Sequence, residues 1–234
     1  MSFREKISAS PALLRVAPFV LFVLITAGQG ELGPESTYWL YLVKTVLGAA
    51  MIFALRSFIA EMRWAFSWEA VAVGIGVFIV WVGINGEWSV QTTLWHKLGL
   101  ASAPKELALP WNPIAQFGDG SALAWLFIAV RILGSTLVVP PLEEVFYRSF
   151  LYRYLASQNF MVVPLNRFAL MPFVVTALVF GLAHNEWLAG ILCAAGYQWL
   201  VLRKNRLGDA MTAHAITNFL LGVWVVWRGV WNLW

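Results

Sequence analysis

The strongest indication of the fold is the stretch Ala122–Phe150, ALAWLFIAVRILGSTLVVPPLEEVFYRSF. Its first part is apolar and long enough for a membrane-spanning helix, yet Glu143, Glu144 and Arg148 follow directly. A charged side chain at the centre of a bilayer costs at least ~2.5–3.5 kcal/mol. Charged residues of this kind therefore face the interior of a helix bundle and mark functional sites. The stretch predicts a transmembrane helix that carries a polar site.

The composition of the whole chain agrees with a membrane protein. The 234 residues are 60% hydrophobic and 12% charged, about half the charged fraction of an ordinary soluble domain, and they include 14 Trp. The net charge of +4 does not indicate nucleic-acid binding, because the basic residues are spread singly between apolar runs. Cys193 is the one cysteine, which excludes an intramolecular disulfide and a cysteine-based metal site.

A spanning helix needs roughly 20 mainly apolar residues. Seven segments come close to this length: 11–28, 38–58, 70–85, 122–140, 168–184, 187–203 and 208–228. The segment 141–157 has a helical pattern but several charges, so it is either an eighth membrane helix or a continuation of the fourth. The predicted fold class is all-α: a polytopic membrane protein with a bundle of about seven to eight transmembrane helices, and residues 1–234 as a single membrane domain.

The positive-inside rule predicts a cytoplasmic N-terminus, because Arg4 and Lys6 precede the first span and the first connection has only acidic charges. The stretch 86–120 then lies outside, along the membrane interface. Simple alternation of the spans would place Glu143 and His184 at opposite faces of the membrane. If the two act together, 122–157 is one long element, bent at Pro140 and Pro141.

The spacing of the charges after the apolar run separates the two glutamates. Glu144 and Arg148 are four residues apart, so they share a helix face and can pair. Glu143 is rotated by about 100° from Glu144 and points elsewhere. An unpaired buried carboxylate suits general acid–base chemistry. From the spacing alone, a purely structural ion-pair network at a helix end is an equally good interpretation.

Two further motifs place polar side chains in apolar helices. FGLAH aligns Phe180 with His184, and HAITN aligns His214 with Asn218. A single histidine at a helix end is more often an interfacial residue, and a histidine with an asparagine can simply join helices. Two basic residues within apolar runs, Lys44 and Arg131, either snorkel or pair with a carboxylate. Together the three motifs contain the groups that hydrolysis needs: a base for water and donors for an oxyanion.

The three motifs, in this order, resemble those of the CAAX prenyl endopeptidase family of intramembrane proteases, also called the Abi or CAAX protease and bacteriocin-processing (CPBP) family. The family pattern is EExxxR, FxxxH and HxxxN, and the chain has EEVFYR at 143–148, FGLAH at 180–184 and HAITN at 214–218. The run VFIVWVGINGEW is similar to CAAX-protease-related proteins found with exosortase systems. The resemblance implies a catalytic core at 122–228, preceded by N-terminal helices and an interfacial loop at 1–121.

The resemblance also implies roles for individual residues. Glu143, aided by His184, is expected to activate water, and His214 and Asn218 are expected to form the oxyanion hole. The supporting residues are expected to be Glu144 and Arg148, as an ion pair, and Phe180, beside the site.

The resemblance implies a multi-pass protein of a prokaryotic cytoplasmic (inner) membrane that cleaves a membrane-anchored or lipid-modified protein or peptide near its end. No cofactor is expected. The alternative is zinc held by Glu143, His184 and His214. Two other classes of function remain open from the residues: a non-catalytic membrane scaffold or immunity protein, and a proton-coupled transporter. No nucleic-acid partner is expected.

Overall fold

The computed structural model describes residues 10–84, 86–100 and 110–234. Arg4, Lys6 and part of the predicted interfacial loop, residues 101–109, lie outside the described residues, as does Asn85 of the run VFIVWVGINGEW. Within the described ranges the chain forms helices and no strand; one isolated bridge joins Val90 and Glu186. The helices are α1 Pro11–Ala27, α2 Ser36–Leu55, α3 Trp68–Gly83, α4 Gln91–Lys97, α5 Pro113–Phe117, α6 Ala122–Ala156, α7 Leu170–Leu182, α8 Trp187–Lys204 and α9 Gly208–Arg228.

Helix α6 is the longest element of the described chain, at 35 residues. It continues through the segment 141–157, so the prediction of a separate eighth helix is wrong and the alternative of a continuation is right. Two π turns interrupt its α-helical geometry, Gly134–Val138 and Val145–Leu151. The first directly precedes Pro140 and Pro141. A proline cannot donate to the carbonyl four residues earlier and clashes with it, and a wide π turn relieves that clash.

The helix boundaries follow from local sequence signals. The hydroxyl groups of Ser10, Ser67 and Ser121 accept hydrogen bonds from backbone N–H groups in the first turns of α1, α3 and α6. Asn205 directly follows the last residue of α8, and Gly229 directly follows the last residue of α9. These two cap residues have positive φ angles, 52° and 67°. Asparagine and glycine tolerate this left-handed conformation, which ends a helix.

The protein is an integral membrane protein. Helices α2, α6 and α9 are long and apolar enough to cross a membrane, and α1, α3 and α7 are shorter apolar helices. Large apolar side chains also point outward along these helices; examples are Phe53, Leu137 and Trp227, which are between half and three-quarters exposed. A water-soluble monomer rarely exposes so much apolar surface, whereas lipid covers it. The all-α membrane fold predicted from the sequence is confirmed.

Glycines allow the helices that carry the site to approach closely. A Cβ atom at Gly74 of α3 would lie 2.7 Å from the carbonyl oxygen of Ala213 in α9, the residue before His214. A Cβ atom at Gly190 of α8 would lie 2.9 Å from the Cα of Gly181 in α7, three residues before His184. Both distances are too short for any larger residue without movement of a backbone, so these glycines fix the helix spacing around the two histidines.

A buried ion cluster joins α1, α6 and the loop before α3. The carboxylate of Glu61 accepts hydrogen bonds from Arg15 at 2.8 and 2.9 Å, from Arg153 at 2.9 Å and from the hydroxyl of Ser149 at 3.0 Å. Burial acts to raise the pKa of Glu61, but the two guanidinium groups outweigh it, so the pKa lies below the usual glutamate value. The cluster ties the first helix to the far end of α6.

We predict that Glu61→Gln lowers the free energy of unfolding by about 3 kcal/mol, because it leaves two buried arginines without their carboxylate. A group with a lowered folded pKa stabilises the protein above its unfolded pKa, about 4.3 for glutamate, and this contribution disappears as the pH falls through the folded value. The difference between variant and wild type is therefore full at pH 7 and shrinks below about pH 4. Thermal unfolding in detergent across this pH range measures it.

The matched control is Glu69→Gln. Glu69 pairs with Lys204 on the surface, with about a third of its side chain exposed, so a much smaller change is expected. An equal loss of stability in both variants would contradict the structural role of the cluster.

Candidate active site

The motif residues meet at one cavity of about 430 Å³ between the helices. Five of the seven residues singled out from the motifs line it: Glu143, Phe180, His184, His214 and Asn218. The other two, Glu144 and Arg148, lie behind the wall and are almost completely buried. Simple alternation of the spans predicts that Glu143 and His184 lie at opposite faces of the membrane. The structure instead brings both to one cavity, because α6 continues without a break through Glu143.

The cavity face of α6 is a stripe of residues four apart: Arg131, Ser135, Val139, Glu143 and Tyr147 all line the cavity. An α-helix has 3.6 residues per turn, so a spacing of four drifts around a regular helix. The π turns of α6 contain more residues per turn and reduce that drift. The irregular geometry of α6 therefore keeps Glu143 on one face with residues up to three turns away.

The buried carboxylate of Glu144 contacts two side chains, one with each oxygen. Its Oε2 atom lies 3.2 Å from Nε of Arg148, and both side chains are fully buried. Its Oε1 atom lies 2.9 Å from Nδ1 of His214. The pairing with Arg148 confirms the spacing argument. The contact with His214 links the first motif to the third, and no local pattern predicts it.

Glu143 is arranged differently from its neighbour. It lines the cavity, and it makes no salt bridge within the described residues. Its Oε2 atom is buried and has no hydrogen-bond partner among the described residues. A buried carboxylate oxygen without a protein partner is rare and needs an explanation. A water molecule or a substrate group in the cavity would satisfy it.

His184 lies at the end of α7, and its ring orientation is fixed locally. Its Nδ1 atom is 2.7 Å from the carbonyl oxygen of Phe180. Since a carbonyl only accepts, Nδ1 carries the proton and Nε2 is the basic nitrogen of the neutral ring. Phe180 stacks on the ring at 4.5 Å and also lies under the Arg148 guanidinium at 4.7 Å. Trp81 of α3 contacts the other side edge-on, at 5.6 Å.

His214 and Asn218 are one turn apart on α9. The His214 ring stacks on Tyr197 at 5.0 Å, and the Tyr197 hydroxyl donates to Thr217 at 2.8 Å. The amide nitrogen of Asn218 donates to the carbonyl oxygen of Ser135 at 2.8 Å. Ser135 lies in the first π turn of α6, so this bond uses a carbonyl in the distorted part of the helix. One N–H of the Asn218 amide remains for another acceptor.

Several cavity residues were not identified as site residues from the sequence. Trp81 and Tyr197 orient the two histidines, but they belong to no motif and look like any aromatic residue of a membrane helix. Lys44 and Arg131 also line the cavity. Among the described residues neither forms the carboxylate pair that the sequence left open.

The donor set proposed for zinc was Glu143, His184 and His214. Across residues 10–84, 86–100 and 110–234, no group of three or more His, Cys, Asp or Glu side chains has the arrangement of a metal site. Glu143, His184 and His214 therefore form no such group in the described chain.

A comparison with models of known protein families finds a match to the region that carries these residues. The family model described as type II CAAX prenyl endopeptidase Rce1-like matches residues 124–220. All seven motif residues lie inside the match, and helices α1 to α3 lie outside it. No curated protein and no solved structure matches the chain significantly. The resemblance drawn from the three motifs is therefore confirmed, and residues 124–220 match the Rce1-like family of type II CAAX prenyl endopeptidases.

Proposed function

We propose that the protein is an intramembrane endopeptidase of the CAAX type, which hydrolyses a peptide bond near the end of a membrane-anchored or lipid-modified protein or peptide. One observation carries the proposal. Glu143, His184, His214 and Asn218, from three helices, line a single cavity, and Glu143 has a buried oxygen without a partner among the described residues. A structural ion-pair network has no need for that carboxylate, since Arg148 already pairs with Glu144.

Water is the proposed nucleophile. The Glu143 carboxylate accepts a proton from a water molecule in the cavity while the water oxygen attacks the carbonyl carbon of the scissile bond. Nε2 of His184 accepts a hydrogen bond from the same water and orients it. The backbone carbonyl of Phe180 accepts a hydrogen bond from Nδ1, and the Phe180 ring stacks on the imidazole. His184 therefore stays in the tautomer that has a basic Nε2.

The attack turns the carbonyl oxygen into an oxyanion, and α9 supplies the proposed donors. The remaining N–H of Asn218 is one of them. His214 donates through Nδ1 to Glu144, so its Nε2 donates as well only when the ring carries two protons.

Collapse of the tetrahedral intermediate breaks the carbon–nitrogen bond. The proton taken up by Glu143 passes to the leaving nitrogen, which departs as an amine. Glu143 returns to the carboxylate form, and the acyl part leaves as a free acid. Water is consumed, and no other reactant is needed.

We propose that this chemistry needs no metal, because a carboxylate such as Glu143 can accept a proton from water directly. The chain 1–234 is taken as one membrane domain with its catalytic core at 122–228. The orientation with a cytoplasmic N-terminus, in a prokaryotic inner membrane, is part of the proposal. It rests on the basic residues at the ends of the predicted spans.

We predict that Glu143→Gln lowers kcat for peptide cleavage by about 10²–10⁴-fold, because the amide cannot accept the proton of water. The variant keeps the wild-type unfolding temperature, since Glu143 makes no ion pair within the described residues. Glu144→Gln is the matched control with the same change one residue away. It lowers both stability and activity, because it breaks the buried contacts to Arg148 and His214.

The measurement is cleavage of membrane-anchored peptides by purified protein in nanodiscs, together with thermal unfolding. Full activity in folded Glu143→Gln would contradict the role of Glu143. If folded wild-type protein cleaves no member of a library of such peptides, a scaffold or a proton-coupled transporter becomes the better interpretation.

A third prediction concerns metal. Peptide cleavage by the wild type is expected to keep its rate after prolonged exposure to a strong chelator, because the proposed base is a carboxylate acting directly on water. The rate before and after chelation, and after addition of zinc, measures this. Loss of activity with recovery on adding zinc would replace the water-activating role of Glu143 with metal chemistry.

A further inference from the structure

Lys44 and Arg131 form a cationic end of the catalytic cavity. Lys44 lies on α2 and is 5% exposed, and Arg131 lies on α6. Both line the cavity, and both lie against the ring of Tyr41, at 4.3 and 5.0 Å from its centre. These two distances place the ammonium nitrogen and the guanidinium carbon within 9.3 Å of each other. Two cations inside a membrane protein at this separation need a reason.

Neither cation has a carboxylate partner among the described residues. Glu143 and Glu186 are the acids that line the cavity, and neither forms a salt bridge with Lys44 or Arg131. Both hydrogen bonds that Lys44 donates among the described residues go to neutral oxygens, Thr26 Oγ1 at 2.9 Å and Gln29 Oε1 at 3.3 Å. Arg148, by contrast, is paired with Glu144. An anion in the cavity would complete this arrangement.

The surroundings of Arg131 leave its hydrogen-bond donors available. Its guanidinium carbon lies 4.4 Å from the ring centre of Trp111 and 5.1 Å from that of Trp234. Aromatic rings interact with the face of a guanidinium group, whereas its N–H groups point outward from the edge. Within the described residues no side-chain hydrogen bond from Arg131 is formed. An arginine with a stacked face and a free edge suits a carboxylate.

The separation of Lys44 and Arg131 from Glu143, the proposed base, limits the length of peptide that can lie between them. Arg131 precedes Glu143 by twelve residues of α6, which is about 18 Å at 1.5 Å per residue. Thr45, beside Lys44, packs against Gly134, so Lys44 lies at the level of a residue about 14 Å from Glu143. An extended peptide rises about 3.3 Å per residue. At most about five extended residues therefore fit between the base and the cations, because the side chains of Lys44, Arg131 and Glu143 shorten these backbone separations.

We infer that Lys44 and Arg131 bind the free C-terminal carboxylate of the substrate and so select peptide chains that end within about five residues of the cleaved bond. The inference rests on the proposed peptidase function and assigns its end specificity. Neither residue belongs to the three catalytic motifs, and Lys44 lies outside the region that matches the family.

The test compares two forms of one membrane-anchored peptide, with a C-terminal acid or a C-terminal amide. Binding is measured to the Glu143→Gln protein, which does not cleave, in nanodiscs of zwitterionic phosphatidylcholine. The acid is expected to bind about 10- to 100-fold more tightly than the amide, as a charge-assisted hydrogen bond allows. Adding Arg131→Gln or Lys44→Met removes most of this preference, and Arg131→Lys restores part of it. Extending the peptide well beyond five residues after the cleaved bond also removes it.

Arg228→Gln, also in the Glu143→Gln protein, is the matched control. Arg228 likewise stacks on two tryptophans, Trp224 and Trp227, but it is exposed and does not line the cavity. It should leave the preference for the acid unchanged. Equal binding of acid and amide, or binding of neither, overturns the inference. Equal binding together with Arg131-dependent binding of phosphatidylglycerol would instead assign the cationic end to a lipid headgroup.

Cleavage by the wild-type protein separates this inference from the proposed function. If the acid is bound more tightly but neither peptide is cleaved, the peptidase proposal fails and carboxylate binding stands. If both peptides are cleaved with equal kcat/KM, the peptidase proposal stands and the carboxylate inference fails. In the expected result the acid has the higher kcat/KM, and the difference between the two peptides lies mainly in KM.

Discussion

The contacts of Glu144 with Arg148 and His214 are the interaction on which the site depends. Charges in the interior of a membrane protein are costly, and a carboxylate with partners on two sides lowers that cost. One partner is local, a turn along α6, and the other belongs to α9. These two contacts therefore do more than neutralise the charge of Glu144. The contact with His214 holds α9 against α6 beside Glu143, and the bond from Asn218 to Ser135 joins the same two helices further along, at the first π turn.

The adjacent glutamates show how one element produces two chemical environments. A rotation of about 100° per residue sends Glu144 into the protein, where contacts to Arg148 and His214 hold it, and sends Glu143 to the cavity, where the described side chains leave one oxygen unpartnered. The same sequence motif thus supplies both the support and the proposed reactive group. The π turns add to this arrangement, because they keep Glu143 on the same face of α6 as Ser135 and Arg131, so that all three line the cavity.

The N-terminal helices are part of the cavity even though no catalytic motif lies on them. Helix α3 contributes Trp81 against His184, and its Gly74 allows α9 to come close. Helix α2 contributes Lys44 to the cationic end. A region outside the family match therefore shapes the cavity that the matched region uses, which is where a difference in substrate selection between relatives would be expected to arise.

The fold class, the positions of the main helices and the ion pair of Glu144 with Arg148 could be predicted from the amino-acid sequence. These depend on local quantities: the length of apolar runs, the spacing of four residues on a helix, and capping residues. The sequence also identified the motif residues that line the cavity, through their order along the chain. The sequence left two possibilities for residues 141–157, because prolines and charges weaken a helical pattern without showing whether a wide π turn absorbs them.

Only the tertiary structure decided which side chains meet across helices. The contact of Glu144 with His214 joins residues 70 positions apart, and the edge-on contact of Trp81 with His184 brings in a helix without any motif. The contact of Lys44 and Arg131 with the same tyrosine depends on how α2 lies beside α6. Such contacts depend on the approach of helices, which glycines and packing set over long separations. Helical periodicity fixes the face of a single helix, and it carries no information about the helix that this face will meet.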